Sequence, residues 1–101
     1  MPNSDGYAVV VTFVVAPEHR GAFREAILEN AAASLHLEPG CRVFDVCEGA
    51  EGAEIFLYEI YDDAAAFRAH LATEHFRRFD ALTAPWVHDK RVQTYQRLAQ
   101  R

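Results

Sequence analysis

No stretch of this 101-residue chain is apolar for the roughly 18–20 residues that a membrane-spanning helix needs. The N-terminus, MPNSDGYAVV, lacks the basic segment and cleavage pattern of a signal peptide. A soluble, cytoplasmic protein is therefore expected, with no membrane partner. Basic residues are scarce as well. Ten Lys and Arg stand against fifteen Asp and Glu, a net charge of −5, which argues against a nucleic-acid partner. Cysteine is limited to Cys41 and Cys47. Both fall in one expected strand, about 20 Å apart by strand rise, too far to pair with each other. They read as small buried hydrophobes of a reducing compartment. Glycine-rich phosphate loops, GxSxG and HExxH are all absent. His70 and His75 are five apart, about 140° around a continuous helix, so no metal site is expected.

What is present suits one small α+β domain spanning residues 1–101, with a core over about 7–98. Half of the residues are hydrophobic and a quarter charged, so a packed core is expected. Residues 7–15, YAVVVTFVV, are β-branched and aromatic and predict a strand. Pro17 suits a first helical turn. The helix predicted from there to about His36 carries Phe23, Ile27, Asn30 and Ser34 on one stripe. Glu38-Pro39-Gly40 ends it. Residues 41–47 and 54–61 predict two strands joined by a glycine-containing hairpin loop. Asp62 or Asp63 caps a helix to about Leu71, and Thr73 caps another, carrying Phe76 and Phe79 and interrupted at Pro85. Residues 91–98 predict the last strand.

The order β-α-β-β-α-β is the ferredoxin-like arrangement with an antiparallel sheet. Strands one and three are apolar on both faces. Two helices can cover only one face, so a homodimer packed sheet to sheet is expected. An open face lining a ligand pocket is the alternative.

Several polar groups lie where apolar ones belong. Asn30 is on the inner helix stripe. Glu59 sits inside EIFLYEIY and needs a partner, such as an arginine. His70 borders an apolar helix face, and His75 opens the next helical piece. A carboxylate that holds a histidine in one tautomer makes a general base near neutral pH. Tyr58, Phe67, Phe76 and Trp86 are candidates for the wall of an aromatic-binding pocket, although core packing explains such residues equally well. Residues 68–101 are net basic, seven Lys and Arg against three acids, which suits a solvated face or an anionic ligand.

The segments EPGCRVFDV (38–46) and FLYEIYDDAAAFRAHLATEHF (56–76) resemble the antibiotic biosynthesis monooxygenase family, in its quinol-monooxygenase-like group. The matching positions are Glu38, Gly40, Cys41, Glu59, Tyr61, His70, Thr73 and His75. Glu74 departs from the family pattern, which has proline before the second histidine. The resemblance implies a dimeric α+β barrel and cofactor-independent oxygenation of quinol- or anthrone-like aromatics by dioxygen. His70 or His75 would then be the base, and Glu59 and Asn30 would orient it or the substrate. Two rival functions are an isomerase of a phosphorylated hydroxy-dione, served by the late basic residues, and a dimeric module that binds a ligand without turnover.

Overall fold

Four strands and three helices alternate through residues 4–98, the part of the chain described by the computed structural model. Strand β1 (Ser4–Val15) leads through a 3₁₀ turn (Pro17–His19) into α1 (Arg20–Leu37). Strands β2 (Cys41–Glu48) and β3 (Glu54–Tyr61) form the central hairpin. Helices α2 (Ala64–Leu71) and α3 (Glu74–Thr83) precede a second 3₁₀ turn (Ala84–Trp86) and β4 (Val87–Leu98). The sheet order is β2-β3-β1-β4, and every pairing is antiparallel. This is the α+β, ferredoxin-like fold expected from the sequence.

Alternation along β1 explains which face the helices cover. Val9, Val11, Phe13 and Val15 are buried beneath α1, against Phe23 and Ile27. The two expected helix caps form: Asp63 accepts from the Ala66 N–H and Thr73 from the Phe76 N–H. Two strands outrun their expected limits. Strand β1 begins at Ser4, past a register shift beside Gly6, whose φ of +133° favours glycine. Strand β4 begins at Val87, because Val87 and Asp89 pair with Val15 and Val14 although the segment lacks apolar alternation. Cys41 is buried as expected. Cys47 is exposed, contrary to expectation, because it lies on the sheet face away from the helices, opposite Phe56.

The helical layer stops short of β4, which is exposed along most of its length. A gap therefore opens between α2, α3 and the β4 edge. Gly40 sets the depth of α2 over the sheet. A Cβ there would lie 2.6 Å from the Ala66 Cβ, and the Gly40 carbonyl accepts from the Asp62 N–H at 2.9 Å. Gly40→Ala is expected to destabilise the fold by about 1–3 kcal/mol through overpacking, measured by urea unfolding.

Candidate active site

The gap is a cavity between the sheet and the helices, lined largely by apolar side chains that include Phe44, Phe67, Phe76 and Phe79. Four polar groups interrupt that lining: Asn30 from α1, Glu59 from β3, His70 from α2 and Lys90 from β4. Its volume is about 40 Å³, room for a few waters at roughly 10–15 Å³ each. Leu71 and Val92, both exposed, are part of the lining and mark its open side.

His70 is 2% exposed. Its ring packs against Phe44, Tyr61, Phe67 and Phe76. Nδ1 lies 2.9 Å from Glu38 Oε2 and 3.4 Å from Ser34 Oγ. A carboxylate only accepts hydrogen bonds, so the network assigns the His70 proton to Nδ1. Nε2 is left as the acceptor, with no protein partner among the described residues. Burial lowers the His70 pKa. The Glu38 hydrogen bond and charge oppose that shift, and His75 adds to it.

Glu38 also accepts from His75 Nε2 at 2.5 Å. The break predicted between Leu71 and Thr73 forms, so the continuous-helix spacing used to argue against joint ligation by His70 and His75 does not apply. Helix α2 ends at Leu71 and α3 starts at Glu74, and the break swings both imidazoles onto one carboxylate. The three donor atoms lie within 4.8 Å of one another. That is a donor set a divalent cation accepts, while the 2.9 and 2.5 Å separations are hydrogen-bond lengths.

Among the described residues, Glu59 holds no histidine and has no arginine partner. The Tyr61 hydroxyl donates to its Oε1 at 2.5 Å. Burial pushes the Glu59 carboxyl up to about 7, against the Tyr61 hydrogen bond, with Glu38 raising it further and Lys90 lowering it. The neighbouring Cys41 thiol is pushed up to about 12, by burial first and then by Glu38 and Glu59. It therefore stays a thiol and is no nucleophile. Asn30 Oδ1 is buried without a hydrogen-bond partner. An orphaned carbonyl in a cavity wall is a group awaiting a donor.

Of the eight residues singled out in the sequence, Asn30, Glu59, Phe67, His70 and Phe76 line this cavity. His75 reaches it only through Glu38, and lines a surface groove between α1 and α3 instead. Tyr58 points to the opposite face of the sheet, because β3 alternates and Leu57 and Glu59 take the inner face. Trp86 lies in the turn before β4 and stacks on His19, with ring centroids 5.1 Å apart, outside the cavity. Glu38, read from sequence as a turn residue and a family-matching position but given no role in the site, is the carboxylate that His70 and His75 share. Lys90, counted only among the late basic residues, lines the cavity.

Among the described residues, no helix is long and apolar enough to cross a membrane. The sequence profile of the antibiotic biosynthesis monooxygenases matches residues 6–82. The Mycobacterium tuberculosis protein "Putative monooxygenase Rv0793" is 34% identical over 74 residues, which is 73% of this chain and 72% of that one. Its solved structure matches with a TM-score of 0.87 and 26% identity, covering 95% of this chain and 98% of that one. The structure of "Putative antibiotic biosynthesis monooxygenase from Nitrosomonas europaea" matches with a TM-score of 0.89 and 26% identity, over 95% and 93% of the two chains.

Proposed function

The chain belongs to the antibiotic biosynthesis monooxygenase family, and from that premise we propose that it oxygenates an electron-rich hydroxylated aromatic of the quinol or anthrone class with dioxygen. The observation that carries the reading is His70. It is held by Glu38 as a hydrogen-bond acceptor at the wall of an apolar cavity that also holds the orphaned Asn30 Oδ1. His70 Nε2 takes the hydroxyl proton. The substrate anion gives an electron to dioxygen, and the two radicals join in a C–O bond to form a peroxide. Cleavage of the O–O bond leaves one oxygen on the product, and the other departs as water. The substrate supplies the electrons, so this chemistry proceeds without a cofactor. Asn30 and Glu59 hold the substrate's hydroxyl groups.

The phosphorylated-substrate reading draws less support. Of the late basic residues suited to a phosphate, Lys90 lines the cavity, but Arg68, Arg77, Arg78 and Arg91 are exposed and outside it, whereas a phosphate group is usually held by several charge-assisted donors. Oxygen uptake by the metal-chelated protein against a panel of quinols and anthrones tests the proposal. Uptake above autoxidation, lost in His70→Ala, is the expected result. Ligand-induced stabilisation without product would replace it with the binding module.

We also infer a homodimer, closing an α+β barrel sheet to sheet. Phe56, Tyr58 and Tyr95 share the uncovered face and are 36–50% exposed. Sedimentation at micromolar concentration is expected to give twice the chain mass, and Tyr58→Asp to give the monomer. A wild-type monomer at any salt concentration would overturn this inference.

A further inference from the structure

Lys90 is the only lysine in the sequence. It is also the only cationic side chain lining the cavity among the described residues. Register places it beside Phe13, on the sheet face that carries the cavity. Its ammonium lies 5.5 Å from the Phe13 ring centroid and 5.9 Å from that of Phe76, within cation–π range. Its nearest counter-charge is Asp80, at a loose 3.8 Å and well exposed. A cation held over two aromatic rings at the edge of an apolar cavity, with Asp80 as its loose ion pair and Glu59 acting on it from beyond ion-pair distance, has charge to spare for a guest.

The proposed reaction has a use for that charge. A phenolic hydroxyl ordinarily ionises near pH 10, as in tyrosine. His70, a buried imidazole, is a weak base for it. An anion formed in an apolar cavity is disfavoured unless a fixed charge faces it. We propose that Lys90 is a catalytic residue that supplies this charge, so that the cavity binds its aromatic hydroxyl substrate as the aryloxide anion. The inference rests on the oxygenase reading for its role in turnover, but it specifies the ionisation state of the ligand and is testable without turnover.

The probe is 4-nitrophenol, bound without oxygen and titrated by its own absorbance. The charged and titratable groups around the cavity are Glu59 on β3, His70 on α2, Asp80 on α3 and Lys90 itself. In the wild type, the ionisation midpoint of the bound phenol is expected below that of the free phenol. A facing cation shifts the ionisation constant by about tenfold or more. Lys90→Met is expected to erase the shift or reverse it, since burial alone favours the neutral phenol. Lys90→Arg keeps the charge and is expected to keep the shift. Lys90 is on an exposed edge strand, and circular dichroism verifies that both variants fold. Oxygen uptake is expected to fall about tenfold or more in Lys90→Met and to persist in Lys90→Arg.

An unchanged midpoint in Lys90→Met overturns the proposal, as does a wild-type protein that fails to bind the phenol. A wild type that lowers the midpoint yet consumes no oxygen supports the anion site and removes the oxygenase reading instead.

Discussion

His70→Ala is expected to lower oxygen-dependent turnover by about 10²–10⁴-fold, the usual contribution of a positioned general base. His70 is buried against four aromatic rings, Ser34 and Glu38, so alanine also leaves a hole that destabilises the fold. His70→Gln fills most of that volume, and a comparable loss there separates chemistry from folding. Free imidazole should restore part of the activity in the alanine variant, because the hole is the size of the ring that was removed. The pH profile gives a second readout. Burial lowers the His70 pKa below its ordinary 6.5, so turnover should hold at neutrality and fall only on the acid side of that value, where Nε2 becomes protonated. Glu38→Gln keeps the size of the group but removes the charge and the double-acceptor character that fix the His70 tautomer. It should lose activity and move the acid limb. Full activity in both His70 variants would transfer the base role elsewhere, with Glu59 the remaining titratable group in the cavity lining besides Lys90.

Much of this site was legible because its polar residues violate a pattern. Asn30 breaks an apolar helix stripe, Glu59 breaks an apolar strand and His70 borders an apolar helix face. Each anomaly lines the cavity, since a polar group on an inward position must either find a partner or face a space. Glu38 was matched to the family pattern but given no role, for the opposite reason. A glutamate before Pro-Gly is ordinary turn chemistry, and its importance comes from where the chain turns, beside α2. Lys90 escaped because β4 lacks alternation, so its inward face shows only in the register with Phe13. Tyr58 and Trp86 misled because aromatic side chains suit a core, an interface and a pocket equally well. Strand parity decides for Tyr58. For Trp86, the turn that Pro85 imposes carries the ring away from the cavity. The partnership of His70 with His75 depends on two residues, Ala72 and Thr73, that separate α2 from α3. Helical periodicity carries no information across such a break.

Glu59→Gln is expected to stabilise the protein at alkaline pH, although it removes a residue from the candidate site. The Glu59 carboxyl has an ordinary value of 4.5 and is raised to about 7 in the folded chain, chiefly by burial. Between those values the native state binds a proton that the unfolded state has released, so this group's contribution to stability falls as pH rises. Below 4.5 the carboxyl is protonated in both states and the contribution is fully present. Above 7 the native protein holds a buried carboxylate, and about 3 kcal/mol has been lost. His70 acts in the opposite direction. Its folded pKa is depressed, so its penalty is greatest in acid and is gone above 6.5. The two slopes overlap below 6.5, and Glu59 alone accounts for the fall just above it. Glutamine still accepts from the Tyr61 hydroxyl through Oε1 but carries no charge to bury. Urea unfolding at about pH 8 should therefore show the variant more stable by up to about 3 kcal/mol, and equal to the wild type at about pH 4. The same substitution should weaken turnover, because a carboxyl poised near neutrality can give or take a proton from a bound hydroxyl and an amide cannot. A glutamate that makes the folded chain less stable at working pH is retained more readily for chemistry than for structure. If Glu59→Gln proves less stable than the wild type at alkaline pH, the carboxylate is instead held by Lys90 across the cavity, and that lysine is not free to receive a substrate anion.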